Sequence, residues 1–236
     1  MDFRQIEDHI TSAAGLSKRP VAISFVTQPP KGVKRYDAMA PSGCTFWKLA
    51  AEGRTFYTEQ AHHYNCAVGC YTHSIALPPE RAQELPDTVN LMASIGYLKL
   101  DEVAGIHHLA QAPGAVVYAP LADAPVAPDV VLCIGRPGRL MLLQEAGIRA
   151  GVGSGSSMLG RPTCASLPAS MTQGIVVSSA CVGNRVYTDL GEDELYITIP
   201  GKDIERVAQE LETIVSANQK LTGYHTERKN ALTSRS

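Results

Sequence analysis

Four cysteines stand where a thiol can do chemistry rather than fill a core. Cys44 opens the stretch "CTFWKLAAEGRTFYTEQAHHYNCAVG", and Cys66 stands near its end. Cys164 opens "CASLPASMTQGIVVSSACVG", and Cys181 stands near its end. In each stretch a Cys begins a short helical run, a Gly closes it, a strand follows, and a second Cys heads a tight turn that reaches Gly69 or Gly183. A thiol at a helix start meets unpaired backbone N–H groups and the positive end of the peptide dipoles. Both favour thiolate, the form that binds metals and attacks electrophiles. A glycine just past the turn Cys lets backbone N–H groups approach a sulfur atom. Four thiolates around one point are the usual ligands of an iron–sulfur cluster or a structural zinc. The long intervals from Cys44 to Cys66 and from Cys164 to Cys181 are unlike the close pairs of zinc knuckles, and a chain of this size needs no metal staple to fold. The pattern therefore points to an iron–sulfur cluster of the four-iron type held by Cys44, Cys66, Cys164 and Cys181, serving electron transfer or cluster-assisted chemistry on a small molecule.

Other residues near these thiols admit more than one role. Cys70 follows Cys66 by one helical turn and is either a supporting ligand or a spare thiol. His62 and His63 could ligate a metal or haem or relay protons, or could sit in an exposed turn. Arg161 and Arg185 could neutralise a thiolate cluster or hold an anion, with Gly69 and Gly183 shaping the cofactor pocket; solvated surface is the plainer role. Asp189 and Glu194 then pair with the arginines. The run "GVGSGSSMLGR" could cradle an anion, but it has neither the P-loop nor the dinucleotide-binding spacing. Cys133, within "VVLCIG", reads as core packing, and His107 and His108 as ordinary residues of a helical run. Two other classes of function remain open. One is a haem or other tetrapyrrole-binding module with a Cys, His62 or His63 as axial ligand. The other is a metal-free thiol enzyme with Cys44 or Cys164 as nucleophile. An oxidoreductase activity is admissible, but no catalytic residue stands out.

The elements that must position these groups follow from composition and periodicity. The chain has 236 residues, 44% hydrophobic and 19% charged, with a formal charge of −2. That suits a soluble globular protein with a sizeable core, offers no basic footprint for nucleic acid, and contains no run long enough for a membrane helix. The acidic, amphipathic N-terminus is no secretory signal, so a cytoplasmic location is expected, and six Cys in a reducing compartment are metal ligands or reactive groups sooner than disulfides. The expected partners are an electron-transfer protein or a small-molecule substrate; a homodimer is left open.

Residues 2–15 predict an amphipathic helix with Phe3, Ile6 and Ile10 on one face. Strands are predicted over 20–26, 55–58, 114–121, 129–135, 174–180 and 193–200, and a strongly periodic helix over 202–219, followed by a loose polar tail. Residues 80–112 read as helix in two or three pieces, broken at Pro86 and at Gly96 and Gly105. The second half repeats the first: 129–135 answers 20–26, the breaker "RPG" at 136–138 answers "QPPKG" at 28–32, 174–180 answers 55–58, and 193–200 answers 114–121. The expectation is one compact α/β protein, with α+β as the variant, made of two similar halves: 1–121, carrying a helical insertion at about 80–112, and 122–236, ending in a helix. Like halves pack about an approximate twofold axis, which would bring equivalent thiols together. Mixed sheets with flanking helices are expected.

At "CTFWKLAAEG", "NCAVG", "APDVVLCIGRPGRLMLL", "RPTCASLPAS" and "SACVGNRVYTDLGEDELYITIP" the chain resembles the uncharacterised family known as domain of unknown function 169, an archaeal conserved region. The resemblance covers nearly the whole chain. Its members typically carry Cys-x-Gly-Cys-Arg where this chain reads Cys181-Val-Gly-Asn184-Arg185, so the second Cys of that pattern is missing here and no ligand role is expected of Asn184. The resemblance implies the site and the duplicated architecture and no particular reaction; the family's association with anaerobic organisms fits an oxygen-sensitive centre.

Overall fold

The computed structural model describes residues 1–153 and 157–233. Helix α1 (Phe3–Ala14) begins at Asp2, whose carboxylate accepts from the Gln5 N–H while the Gln5 side chain accepts from the Asp2 N–H. That reciprocal pair satisfies two N–H groups that a helix start otherwise leaves open. Ile6, Ile10 and Ala14 are buried on its inner face. The chain then runs through β1 (Val21–Val26), α2 (Cys44–Ala51), β2 (Phe56–Glu59), α3 (Ala67–Thr72), α4 (Glu84–Ser94) and β3 (Ala115–Pro120). It continues with β4 (Val130–Gly135), α5 (Pro137–Arg149), β5 (Ser157–Leu159), α6 (Ser166–Gln173), β6 (Val176–Ser178), α7 (Val182–Thr188), β7 (Leu195–Pro200) and α8 (Ile204–Thr233).

The strands form one mixed sheet in the order β2-β3-β1-β4-β7-β6-β5. The β5–β6 pair is parallel and the other pairs are antiparallel. Leaving out short β5, the order reads alike from either side of the central β1–β4 pair: β1, β3 and β2 leave it one way, β4, β7 and β6 the other. Both faces are covered. Strand alternation sends Val131 and Cys133 to the face packed by α1, α5 and α8 and Val130, Leu132 and Ile134 to the face packed by α2 and α6. The second core holds Phe46, Trp47, Tyr118 and Leu167, and it runs without a break into Cys44 and Cys164.

Four details depart from the sequence-based expectation, each for a physical reason. Pro86 does not break α4, because it falls in the first turn, where its missing N–H has no partner to lose. Pro137 begins α5 rather than acting as a breaker, for the same reason. The sheet is single rather than several, since β1 and β4 pair across the middle. The tail is helical as far as Thr233 and not loose from Leu221: it extends α8 without a break, and adding residues to a helix already nucleated by its packed first turns costs little.

Candidate functional site

Each of the four thiols is placed by a short local device. Cys44 is the first residue of α2, just after the turn closed by the Thr45 N–H donating to the Ser42 carbonyl at 3.2 Å. Cys66 caps α3, and its Sγ accepts from the Gly69 N–H at 3.3 Å. A Cβ at position 69 would lie 3.3 Å from that sulfur, so glycine leaves it room. Cys164 lies in the 3-10 turn Thr163–Ala165 that runs into α6. Cys181 caps α7, and its N–H donates to Thr163 Oγ1 at 2.6 Å, which ties the two second-half thiol segments together.

These segments bring all four thiols to the wall of one cavity of about 600 Å³. Cys44 and Cys164 are buried, Cys66 and Cys181 half-buried, and none of the six cysteines is in a disulfide. The thiols feel one another. Burial pushes the Cys44 thiol far above its ordinary pKa, and charge on Cys164 and Cys66 pushes it further, while the Asn184 side chain beside it pulls the other way. Burial likewise raises Cys164, again with a contribution from Cys66. Cys66 is raised by burial, with the Gly69 N–H opposing. The helix-start effect expected from the sequence is thus outweighed: desolvation favours the neutral S–H. A group of thiols in such a wall ionises together only when a cation joins it.

The family model described as uncharacterised ArCR, DUF169, matches residues 9–210. The chain belongs to the DUF169 family. The match takes in every thiol segment of this DUF169 chain and ends inside α8, so the outer turns of that helix lie beyond it. Neither a curated protein nor a solved structure matches the chain significantly.

Among the described residues of the DUF169 chain, no three of His, Cys, Asp and Glu stand close enough to hold a metal ion. A single zinc needs every sulfur about 2.3 Å from one point. An iron–sulfur cluster meets its thiolates through separate irons and takes sulfurs set farther apart. Two N–H donors stand near the thiols: the Gly69 N–H, which donates to Cys66 Sγ although Gly69 is not itself on the wall, and the Asn184 side-chain nitrogen, which is buried without a hydrogen-bond partner. The wall thus sets four thiols close to these two nitrogen donors.

The remaining candidates fall outside or at the edge of the cavity. The Cys70 thiol donates to the His63 carbonyl at 3.2 Å, does not line the wall, and is pushed up to about 12, mainly by burial. His62 and His63 are buried, not an exposed turn. His62 Nδ1 meets the Glu59 N–H at 3.0 Å and its Nε2 the Tyr36 carbonyl at 2.9 Å; His63 Nε2 bonds Thr58 Oγ1 at 2.9 Å. Neither ring lines the cavity. Arg185 is no anion holder: its guanidinium donates to the carbonyls of Ser179, Gly191 and Glu194. Asp189 pairs with Lys48 and Glu194 with Lys18, not with the arginines. Arg161 does line the cavity, with a 2.8 Å ion pair to Glu102 and its guanidinium 5.0 Å over the Tyr97 ring. Gly183 and Gly160 line the wall as well. Of the glycine run, residues 154–156 lie outside the described residues. Cys133 is fully buried in the core, as its strand position implies. His107 and His108 follow a 3-10 turn and are not helical.

Sequence reasoning passed over two parts of the wall. One is Asn184 as a donor, although its place in the family pattern, where a Cys is usual, was the available signal. The other is the apolar side built by α4 and the segment after it, including Val89, Met92, Leu98 and Ile106. A periodic helix shows that it has an apolar face, not what that face looks at.

Proposed function

We propose that this protein holds an iron–sulfur cluster of the four-iron type on Cys44, Cys66, Cys164 and Cys181. Such a cluster would supply one-electron transfer, with an electron-transfer protein as donor or acceptor; Lewis-acid chemistry on a small molecule would require one of the four thiols to give up its iron to the substrate. The observation that carries the reading is the meeting of these four thiols, from two distant stretches, on one cavity wall. The Gly69 N–H donates to Cys66 Sγ and the Asn184 amide lies beside the Cys44 thiol, and such bonds to sulfur tune a cluster's potential. The palindromic strand order supports two like halves, 1–121 and 122–236, related by an approximate twofold through the β1–β4 pair. Six free thiols fit a reducing, cytoplasmic setting. No helix among the described residues is long and apolar enough to cross a membrane.

The rival functions have less behind them. Both nitrogens of His62 are spent on backbone groups, and neither His62 nor His63 reaches the wall, which leaves haem only a thiol as axial ligand. A metal-free nucleophile needs a lowered pKa, and burial raises that of Cys44 and of Cys164. The test is the visible spectrum of protein purified without oxygen. A broad brown absorbance that bleaches with dithionite is expected. A Soret band would replace the cluster with a tetrapyrrole, and a colourless protein would remove both.

A further inference from the structure

The cavity extends well beyond the thiols, and its other wall has a chemistry of its own. Helix α4 turns Leu85, Thr88, Val89 and Met92 to the cavity, one face of the helix, and none of its side chains is fully buried in the protein. Leu98, Val103 and Ile106 continue that apolar side. The neutral polar groups on the wall are the hydroxyls of Ser42, Thr88, Tyr71, Tyr97 and Tyr187 and the amides of Asn65 and Asn184, besides the thiols.

The ionic side chains of the wall are already matched. Glu84 takes both its oxygens to Arg81, at 2.6 and 2.9 Å. Glu102 and Arg161 hold each other at 2.8 Å. No other Lys, Arg, Asp, Glu or His among the described residues lines the cavity. On the α4 side, away from the thiols, a charged guest would have to break one of these pairs or enter uncompensated, and an unpaired charge against apolar side chains is costly. A pocket of this volume with an apolar lining and a few convergent hydrogen-bonding groups suits one small organic molecule.

We infer that the wall formed by α4 and residues 97–106 is the subsite for a neutral, largely apolar substrate, aromatic or alicyclic, carrying one or two hydroxyl or carbonyl groups. Nucleotides, phosphate esters and carboxylates are disfavoured there, since among the described residues that wall offers no cation outside the Arg161–Glu102 pair. The inference rests on the proposed cluster only in taking the thiol side as the reacting end; the wall's selectivity stands without it.

The neutral fluorophore N-phenyl-1-naphthylamine tests this on the full chain, prepared without oxygen, with and without iron and sulfide reconstitution. Saturable binding is expected, displaced by 1-naphthol and not by 1-naphthoate at about tenfold higher concentration. Val89→Arg and Leu98→Arg, on separate segments, each weaken binding by about tenfold or more, because each puts an unpaired charge on the wall. Leu91→Arg, at a site 61% exposed and off the wall, leaves it unchanged. Circular dichroism checks that each variant is folded. Equal binding by all four proteins, or displacement by 1-naphthoate as readily as by 1-naphthol, overturns the inference. Iron content of the same samples reports on the cluster alone: an iron-free protein that still binds the probe keeps the subsite and loses the cluster.

Discussion

The Asn184 side-chain amide lies beside the Cys44 thiol and lowers the cost of ionising it. Its nitrogen is buried with no hydrogen-bond partner among the described residues, so it is free to donate to a Cys44 thiolate. Asn184 comes from α7 and Cys44 from α2, so the contact joins the two halves of the chain. A charge-assisted hydrogen bond of this kind contributes roughly 1.5–3 kcal/mol. Asn184→Ala is expected to shorten the lifetime of the oxidised, coloured cluster in air by about tenfold or more, followed as decay of the visible absorbance. Unchanged decay would mean that the amide does not act on the sulfur.

Removing the thiols one at a time separates wall from core. Cys44→Ser, Cys66→Ser, Cys164→Ser and Cys181→Ser should each lose most of the bound iron. Cys70→Ala and Cys133→Ala should keep it, since the Cys70 thiol is turned to the His63 carbonyl and Cys133 is packed in the other core. Cys133→Ser should keep iron yet lower stability by about 1–3 kcal/mol, because it sets a hydroxyl among apolar side chains. Iron per chain and denaturant midpoints measure the two effects independently.

Arg185→Lys tests a structural role against an anion-binding one. The guanidinium fastens three carbonyls, and a lysine ammonium on a flexible stem cannot reproduce that fork. A loss of about 2 kcal/mol is expected, together with faster proteolysis around residues 189–194 and normal iron content. Iron lost with stability unchanged would show that the arginine serves the site instead.

His73 makes stability depend on pH. Burial lowers its pKa from the ordinary value to about 4, against the raising effect of its bond to the Gly69 carbonyl. Burial also lowers that of His63, with its neighbours His73 and His62 adding to the effect. An unfolded chain takes up protons on these rings near pH 6.5 while the folded chain does not. The stabilisation is therefore complete above about pH 6.5 and is lost as pH falls toward 4, on the order of 1 kcal/mol per pH unit for His73. Denaturant midpoints at pH 7 and pH 5 measure it, and His73→Phe should flatten the difference.

Much of this molecule is legible in its residues, and the parts that are not share a cause. Strands β1, β3, β4 and β7 are continuous apolar runs bounded by turns, which is why their positions could be read directly. The four wall thiols stood out because the same Cys-helix-strand-Cys order occurs twice. Contacts between distant segments left no such mark. Arg185 has the same five donors whether it meets an anion or three carbonyls. His62 looked like a turn residue because its partner, the Tyr36 carbonyl, lies far back in the chain. The thiol ionisation was misjudged because the helix start is local and visible in sequence, whereas the burial that outweighs it is not.

The central claim is that these four thiols share one inorganic guest, and iron and acid-labile sulfide per chain after anaerobic purification measure it most directly. The account predicts about four of each, falling together when Cys164 is replaced by Ser. Fully reduced, alkylatable thiols with neither iron nor sulfide, in protein made and kept without oxygen in iron-replete medium, would contradict it.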